Sequence, residues 1–154
     1  MRVIHESEGP LSRRLASRFV GCRLVFSDAS QKRQGGLAAV LFDLQQSEPL
    51  VATRSVPLVG SNELELQAAL FALALACRHF LGQSFVLFSD NQDAIVRLDR
   101  AKVHGLAQDP ALARMLTALE ISSVFDFASV CWVQGHAGCR GNTLADFHAR
   151  AAAG

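Results

Sequence analysis

Neither sign of charge dominates this sequence: 15 Lys and Arg stand against 14 Asp and Glu, a formal net charge of +1. Affinity for a polyanion must therefore come from local basic patches or bound cations, not from a global positive field. Cysteine is sparse and unpatterned. Cys22, Cys77, Cys131 and Cys139 form no CxxC pair, which argues against a zinc site or a disulfide framework and suits a reducing, cytoplasmic compartment. No long apolar run is present. The longest, Ala68 to Cys77, is about half a bilayer-spanning helix, so no membrane segment is expected. The polar start of the chain, with Glu6 and Glu8, lacks the apolar stretch of a secretory signal. Solenoid-length repeats and low-complexity segments are absent too.

What is there reads as an α/β protein. With 154 residues, 50% apolar and 19% charged, the chain can bury a core and is expected to be one globular domain over residues 21–154. Residues 1–20 read as a tail and a short basic helix, Leu11 to Phe19, with Arg13, Arg14 and Arg18. A solvated capping helix is the expectation, with weak nucleic-acid contact the lesser alternative. Strands are expected at Arg23 to Asp28, Leu37 to Phe42 and Leu50 to Val56, joined by links short enough for an antiparallel meander. Asn62 is placed as the N-cap of a long buried helix from about Glu63 to Leu81. A strand at Phe85 to Ser89 follows, able to pair in parallel with the meander across that helix. Asp90 then caps a helix to about Arg100, and another runs from Pro110 to about Ser122. The last pair is an apolar strand, Ala128 to Val133, and a helix from about Asn142, separated by a glycine-rich loop with His136. The sum is a mixed five-stranded sheet, three antiparallel strands then two parallel, flanked by helices.

Two strands end alike: Phe26-Ser27-Asp28 and Phe88-Ser89-Asp90. If they are parallel neighbours, both carboxylates emerge at the C-terminal sheet edge, where open α/β sheets build their sites. Taken singly, Asp28 could open a turn and Asp90 could be an N-cap. Together, in matching contexts, they favour a site that needs a cation or a proton between them. Glu65 fits a capping box behind Asn62. It could also approach Asp28, because Ala68, Ala69 and Ala72 let the helix lie close to the sheet. Asp146 on the final helix is the remaining candidate. Such carboxylates suit Mg²⁺, which leans on a few acidic side chains plus substrate phosphates. Paired metals can drive phosphodiester hydrolysis, with His136 moving protons near neutral pH.

The chain resembles the type 1 ribonuclease H family. The resemblance rests on Ser27-Asp28-Ala29-Ser30, on Asn62-Glu63-Leu64-Glu65-Leu66-Gln67-Ala68-Ala69, and on Ser89-Asp90-Asn91-Gln92. It rests most specifically on Trp132-Val133-Gln134-Gly135-His136-Ala137-Gly138 with Asn142, Asp146 and the Ala149-Arg150-Ala151-Ala152-Ala153 stretch. Each motif is short, but five in register from about residue 23 onward are specific. The resemblance implies a ribonuclease H-like fold and a metal-dependent endonuclease. Such an enzyme hydrolyses the RNA strand of RNA–DNA hybrids by a two-metal-ion mechanism, leaving 3′-hydroxyl and 5′-phosphate ends. It implies Asp28, Glu65, Asp90 and Asp146 as ligands of Mg²⁺, or Mn²⁺ in its place, with His136 assisting proton transfer or product release. Asn62 and Gln92 match nucleic-acid contacts, and Ser30 lies near the RNA strand. No obligate protein partner is evident, and a monomer is expected.

Three departures accompany the resemblance. The loop after Asp28 is shorter than usual and lacks the Asn-Pro-Gly of many members, although Lys32 and Arg33 could meet a phosphate. The basic protrusion between the middle helices is missing, leaving Arg97, Arg100, Lys102 and Arg114. No separate N-terminal hybrid-binding domain fits ahead of the first strand. Proofreading-type exonucleases would need a Glu at position 30, and transposase-type members lack the helix Glu, so both are disfavoured. The alternative function is a catalytically weak or inactive nucleic-acid-binding module, against which stands the retention of every acidic position.

Overall fold

The structure is a computed structural model that describes residues 9–44, 48–135 and 138–154. Its frame is a single sheet in the order β3-β2-β1-β4-β5. The meander is β1 (Arg23–Gln31), β2 (Gly35–Phe42) and β3 (Leu50–Val56), paired antiparallel throughout. Strands β4 (Phe85–Ser89) and β5 (Ala128–Trp132) join in parallel, β4 against β1 and β5 against β4.

Alternation along the strands sorts the core into two layers. Val25, Ala39, Leu41 and Leu87 face one side, where α2 (Ser61–His79), α3 (Gln92–His104) and α4 (Pro110–Ala118) cover them. Leu24, Phe26, Val40, Phe42, Val86 and Phe88 face the other, under α5 (Arg140–Ala152) and the segment around α1 (Arg13–Ala16). As the sequence suggested, α2 is apolar around most of its girth. Ala68, Ala69, Ala72 and Ala76 are fully buried, and side chains this small let the helix axis lie close to β1 and β2. On the opposite layer, α5 comes so near β2 that a Cβ at Gly36 would collide with its backbone at Ala149 and Ala153. Only glycine fits there.

Several boundaries differ from expectation, each for a local reason. Strand β1 does not stop at Asp28: Ala29, Ser30 and Gln31 stay in the ladder because β2 begins early, with Gly35 and Gly36, and pairs with them. Asn62 is not the N-cap of α2. Gly60 holds that place and Asn62 lies inside the first turn, so Glu65 is not engaged in a capping box. Asp90 is not the cap of α3 either. Asn91 is, its Oδ1 accepting from Ala94 N at 2.8 Å. Asp109 caps α4 by accepting from Leu112 N, and α4 ends at Ala118, before Ser122. The expected Leu11 to Phe19 helix is helical only over Arg13–Ala16. Helix α5 begins at Arg140, two residues ahead of Asn142.

Of the four cations between residues 97 and 114, two make structural contacts. Arg97 grips Asp109 through two hydrogen bonds, 2.7 and 3.0 Å. That pairing holds the Asp109 carboxyl below its ordinary range and ties α3 to the start of α4. Lys102 donates to the carbonyls of Phe125 and Ala128. Among the described residues, no helix is long and apolar enough to cross a membrane.

Candidate active site

The register of β1 against β4 pairs Leu24 with Val86 and Phe26 with Phe88. Carried two residues further along the same register, Asp28 falls opposite Asp90. The echo in the sequence is therefore a spatial fact: both carboxylates leave parallel neighbours at one sheet edge. Glu65 descends onto them from the second turn of α2. One oxygen from each of Asp28, Glu65 and Asp90 lies within 4.8 Å of the others. Asp28 is 4% exposed and the other two are half-buried.

Three carboxylates that close cannot all be charged without a counterion. Burial, then the charge of Asp90, pushes Asp28 up to about 7, against a hydrogen bond from Ala29 N that favours its ionised form. Burial, then the charges of Asp28 and Asp90, pushes Glu65 up to about 9. Without a cation the cluster therefore holds protons at neutral pH, Glu65 most firmly. Glu65 Oε2 is buried and has no hydrogen-bond partner among the described residues. A buried, unsatisfied oxygen facing two further carboxylates is a donor set for a hard divalent cation.

Asp90 is held by its backbone as well. Trp132 Nε1 donates to the Asp90 carbonyl at 3.0 Å. Next to it, Ser89 Oγ accepts from Asn91 N at 3.1 Å, and Val133 N donates to the Ser89 carbonyl. The sequence marked Trp132 only as part of a motif, and its role depends on β5 lying beside β4. Trp132→Phe keeps the ring but deletes the bond, a loss of about 1 kcal/mol of positioning. The expected result is a loss of about 1 kcal/mol of stability, read by denaturant melts; an unchanged stability would remove Trp132 from this role.

The other anticipated residues divide. Asp146 lies outside the tight group. It is ion-paired with Arg150 one turn along α5 at 3.1 Å, yet near enough for its charge to raise Asp28. Ser30, two residues beyond Asp28 on β1, shares its side of the strand and is half-buried. Asn62 is exposed on the first turn of α2 and accepts from Asn91 Nδ2 at 3.4 Å. Gln92, also exposed, is the first residue of α3. His136 falls outside the described residues. Its neighbour Gly135 passes so close that a Cβ there would stand 3.2 Å from Asp90 Oδ2. A cleft of about 620 Å³ runs beside α3 from Gln92 to Asp109, and none of the three clustered carboxylates lines it.

Comparison with known proteins bears on this arrangement. The RNase H family model matches residues 22–154. Among curated proteins, no sequence relative matches the chain. Among solved structures, the fold is similar to RNase H1 of the halophilic archaeon Halobacterium salinarum, with 19% identity and a TM-score of 0.58 over 85% of this chain and 99% of that one. It is similar to LC9-RNase H1, described as a type 1 RNase H with the type 2 active-site motif, at 21% identity and TM-score 0.63 over 87% and 72%. LC11-RNase H1, solved in complex with an RNA/DNA hybrid, is 12% identical with TM-score 0.57 over 86% and 99%.

Proposed function

Because the chain belongs to the RNase H family over residues 22–154, we propose that it is a ribonuclease H, an endonuclease that hydrolyses the RNA strand of RNA–DNA hybrids. The products would carry 3′-hydroxyl and 5′-phosphate ends. The observation that carries this reading is the convergence of Asp28, Glu65 and Asp90 within 4.8 Å, with Glu65 Oε2 buried and unsatisfied. Mg²⁺ or Mn²⁺ would be held by these three together with Asp146, once Asp146 exchanges Arg150 for the cation. Two such ions, when bound, supply charge that activates the attacking water and stabilises the leaving oxygen.

The rest falls to the chain's own groups. Asp28 and Asp90 are fixed by adjoining strands and Glu65 by a helix seated on the sheet, so the acidic cluster is preorganised. Ser30, Asn62 and Gln92 contact the hybrid at the margins of the cluster, where a 2′-hydroxyl distinguishes RNA from DNA. His136 moves a proton at the reacting phosphate or helps release the product. Residues 21–154 form the catalytic domain, and four thiols without a disulfide suit a reducing cytoplasm.

The test is direct. Purified protein given a hybrid labelled on its RNA strand should cleave it at low salt with Mg²⁺ or Mn²⁺, and should not with EDTA. Hybrid binding without metal-dependent cleavage would instead identify an inactive binding module.

A further inference from the structure

The segment ahead of β1 lies outside the family match, which begins at residue 22, and the catalytic reading assigns it nothing. Residues 9–22 contain Arg13, Arg14 and Arg18 and no Asp or Glu. In a chain of net charge +1, that is a marked local excess. A freely solvated helix would bury nothing, but this segment is fastened at both ends. Leu11 is fully buried in the layer beneath α5. Gly141 N, in the first turn of α5, donates to the Pro10 carbonyl at 2.9 Å. At the far end the Phe19 ring packs edge-on against Phe88 with centroids 5.2 Å apart.

All three arginines remain exposed. Among the described residues none of them forms an ion pair, whereas Arg23, Arg97 and Arg150 do. Arg18 lies over the Phe19 ring, 5.5 Å from its centroid, and its charge reaches Cys131 on β5. The anchors lie on the elements that carry the acidic residues. Phe88 is two residues before Asp90, Cys131 adjoins the Trp132 that bonds the Asp90 carbonyl, and Gly141 is five residues before Asp146 on α5. Between residues 97 and 114, Arg97 and Lys102 are committed to internal contacts.

We propose that this docked segment is an electrostatic arm, and that Arg13, Arg14 and Arg18 contact backbone phosphates of the hybrid flanking the cleaved position. The inference rests on the ribonuclease H reading and adds a surface to it. Phosphates attract exposed guanidinium groups through charge and paired hydrogen bonds. Because the fold already orders the arm, binding does not have to immobilise a loose tail. A duplex backbone displaces condensed counterions for each phosphate neutralised, so the arm has a thermodynamic signature that a packing role lacks.

The experiment compares the full chain with R13Q/R14Q/R18Q and with the charge-keeping R13K/R14K/R18K. Cleavage of the hybrid in Mg²⁺ is followed from low to moderate salt, and hybrid affinity is measured by fluorescence anisotropy in an Asp28→Asn background. The Gln variant is expected to raise KM and Kd about tenfold at low salt, to leave kcat within twofold, and to flatten the log–log salt slope by about 2 to 3. The Lys variant should recover most of the affinity. R13Q/R14Q, which spares the Arg18–Phe19 contact, should give a smaller change of the same kind with an unaltered melting temperature. An unchanged salt slope in the Gln variant, or an equal loss in the Lys variant, would overturn the arm while leaving the nuclease reading intact. Wild-type protein that neither binds nor cleaves the hybrid would overturn both.

Discussion

Asp28→Asn should abolish metal-dependent cleavage of the hybrid and, in EDTA at pH 8, make the protein more stable than the wild type. The two effects have one cause. Burial and the neighbouring charge of Asp90 raise Asp28 from 3.8 to about 7, and burial with Asp28 and Asp90 raises Glu65 from 4.5 to about 9. A carboxyl whose folded pKa lies above its unfolded value stabilises the fold most where it is protonated. That contribution is therefore complete below about pH 4 and is lost as pH rises through about 7 for Asp28 and about 9 for Glu65. Asn at position 28 cannot ionise, and it also removes the strongest charge acting on Glu65. The gain in metal-free stability at pH 8 is on the order of 2–3 kcal/mol. For a chain of this size that is roughly 5–10 °C in melting temperature. Mg²⁺ should reverse the ranking by stabilising the wild type far more than the variant, and more at pH 8 than at pH 5. Thermal melts in EDTA and in Mg²⁺ at both pH values check this. An Asn variant less stable than wild type in EDTA at pH 8 would mean that the carboxylates do not repel one another.

Gly36→Ala should unfold or nearly unfold the protein without touching a carboxylate. The added methyl would overlap the carbonyl oxygen of Ala149 and stand 2.5 Å from Ala153 N and 3.0 Å from Ala152 C. All of these are backbone atoms, so no rotamer change relieves the contact. Either β2 or the end of α5 has to move, and β2 is buried along its whole length between β1 and β3. The cost is about 3–5 kcal/mol, at the upper end of overpacking effects. Denaturant melts measure it. Gly60→Ala is the control: nothing lies within 4 Å of a Cβ there and φ is −59°, so a change within about 1 kcal/mol is expected. Equal stabilities of the two variants would show that α5 does not lie where the structure puts it.

The acidic cluster was legible to the extent that it follows from local chemistry. Two apolar strands with identical endings, a helix between them and small residues along that helix sufficed to bring Asp28, Asp90 and Glu65 together. The parallel register of β1 and β4 then delivered what the repeated Phe-Ser-Asp promised. The errors arose where partners distant in sequence decide. Ala29-Ser30-Gln31 has no strand signature of its own and is held in β1 only by Gly35 to Leu37 across the turn. Adjacent Asp90 and Asn91 were both competent caps. Asn91 took the role because the ladder of β4 against β5 reaches Ser89 and directs Asp90 into the acidic cluster. The Trp132 hydrogen bond could not be read from the motif, since it spans 42 positions in the chain. Nor could the burial of Leu11, because the layer that receives it is assembled from all five strands and the final helix. The pairing of Arg150 with Asp146, by contrast, is the ordinary i,i+4 geometry of a helix.

The layering of the sheet carries a consequence for how the protein is made. Every strand precedes α5, and α5 covers the face built from Leu24, Phe26, Val40 and Phe42. A ribosome that has extruded β1 to β5 but still holds α5 in its tunnel therefore presents an apolar sheet face to water. At the same moment Asp28, Glu65 and Asp90 are already outside, while Asp146 is not. Emergence of that one helix would then cover most of this face and carry Asp146 towards the other three carboxylates in one step.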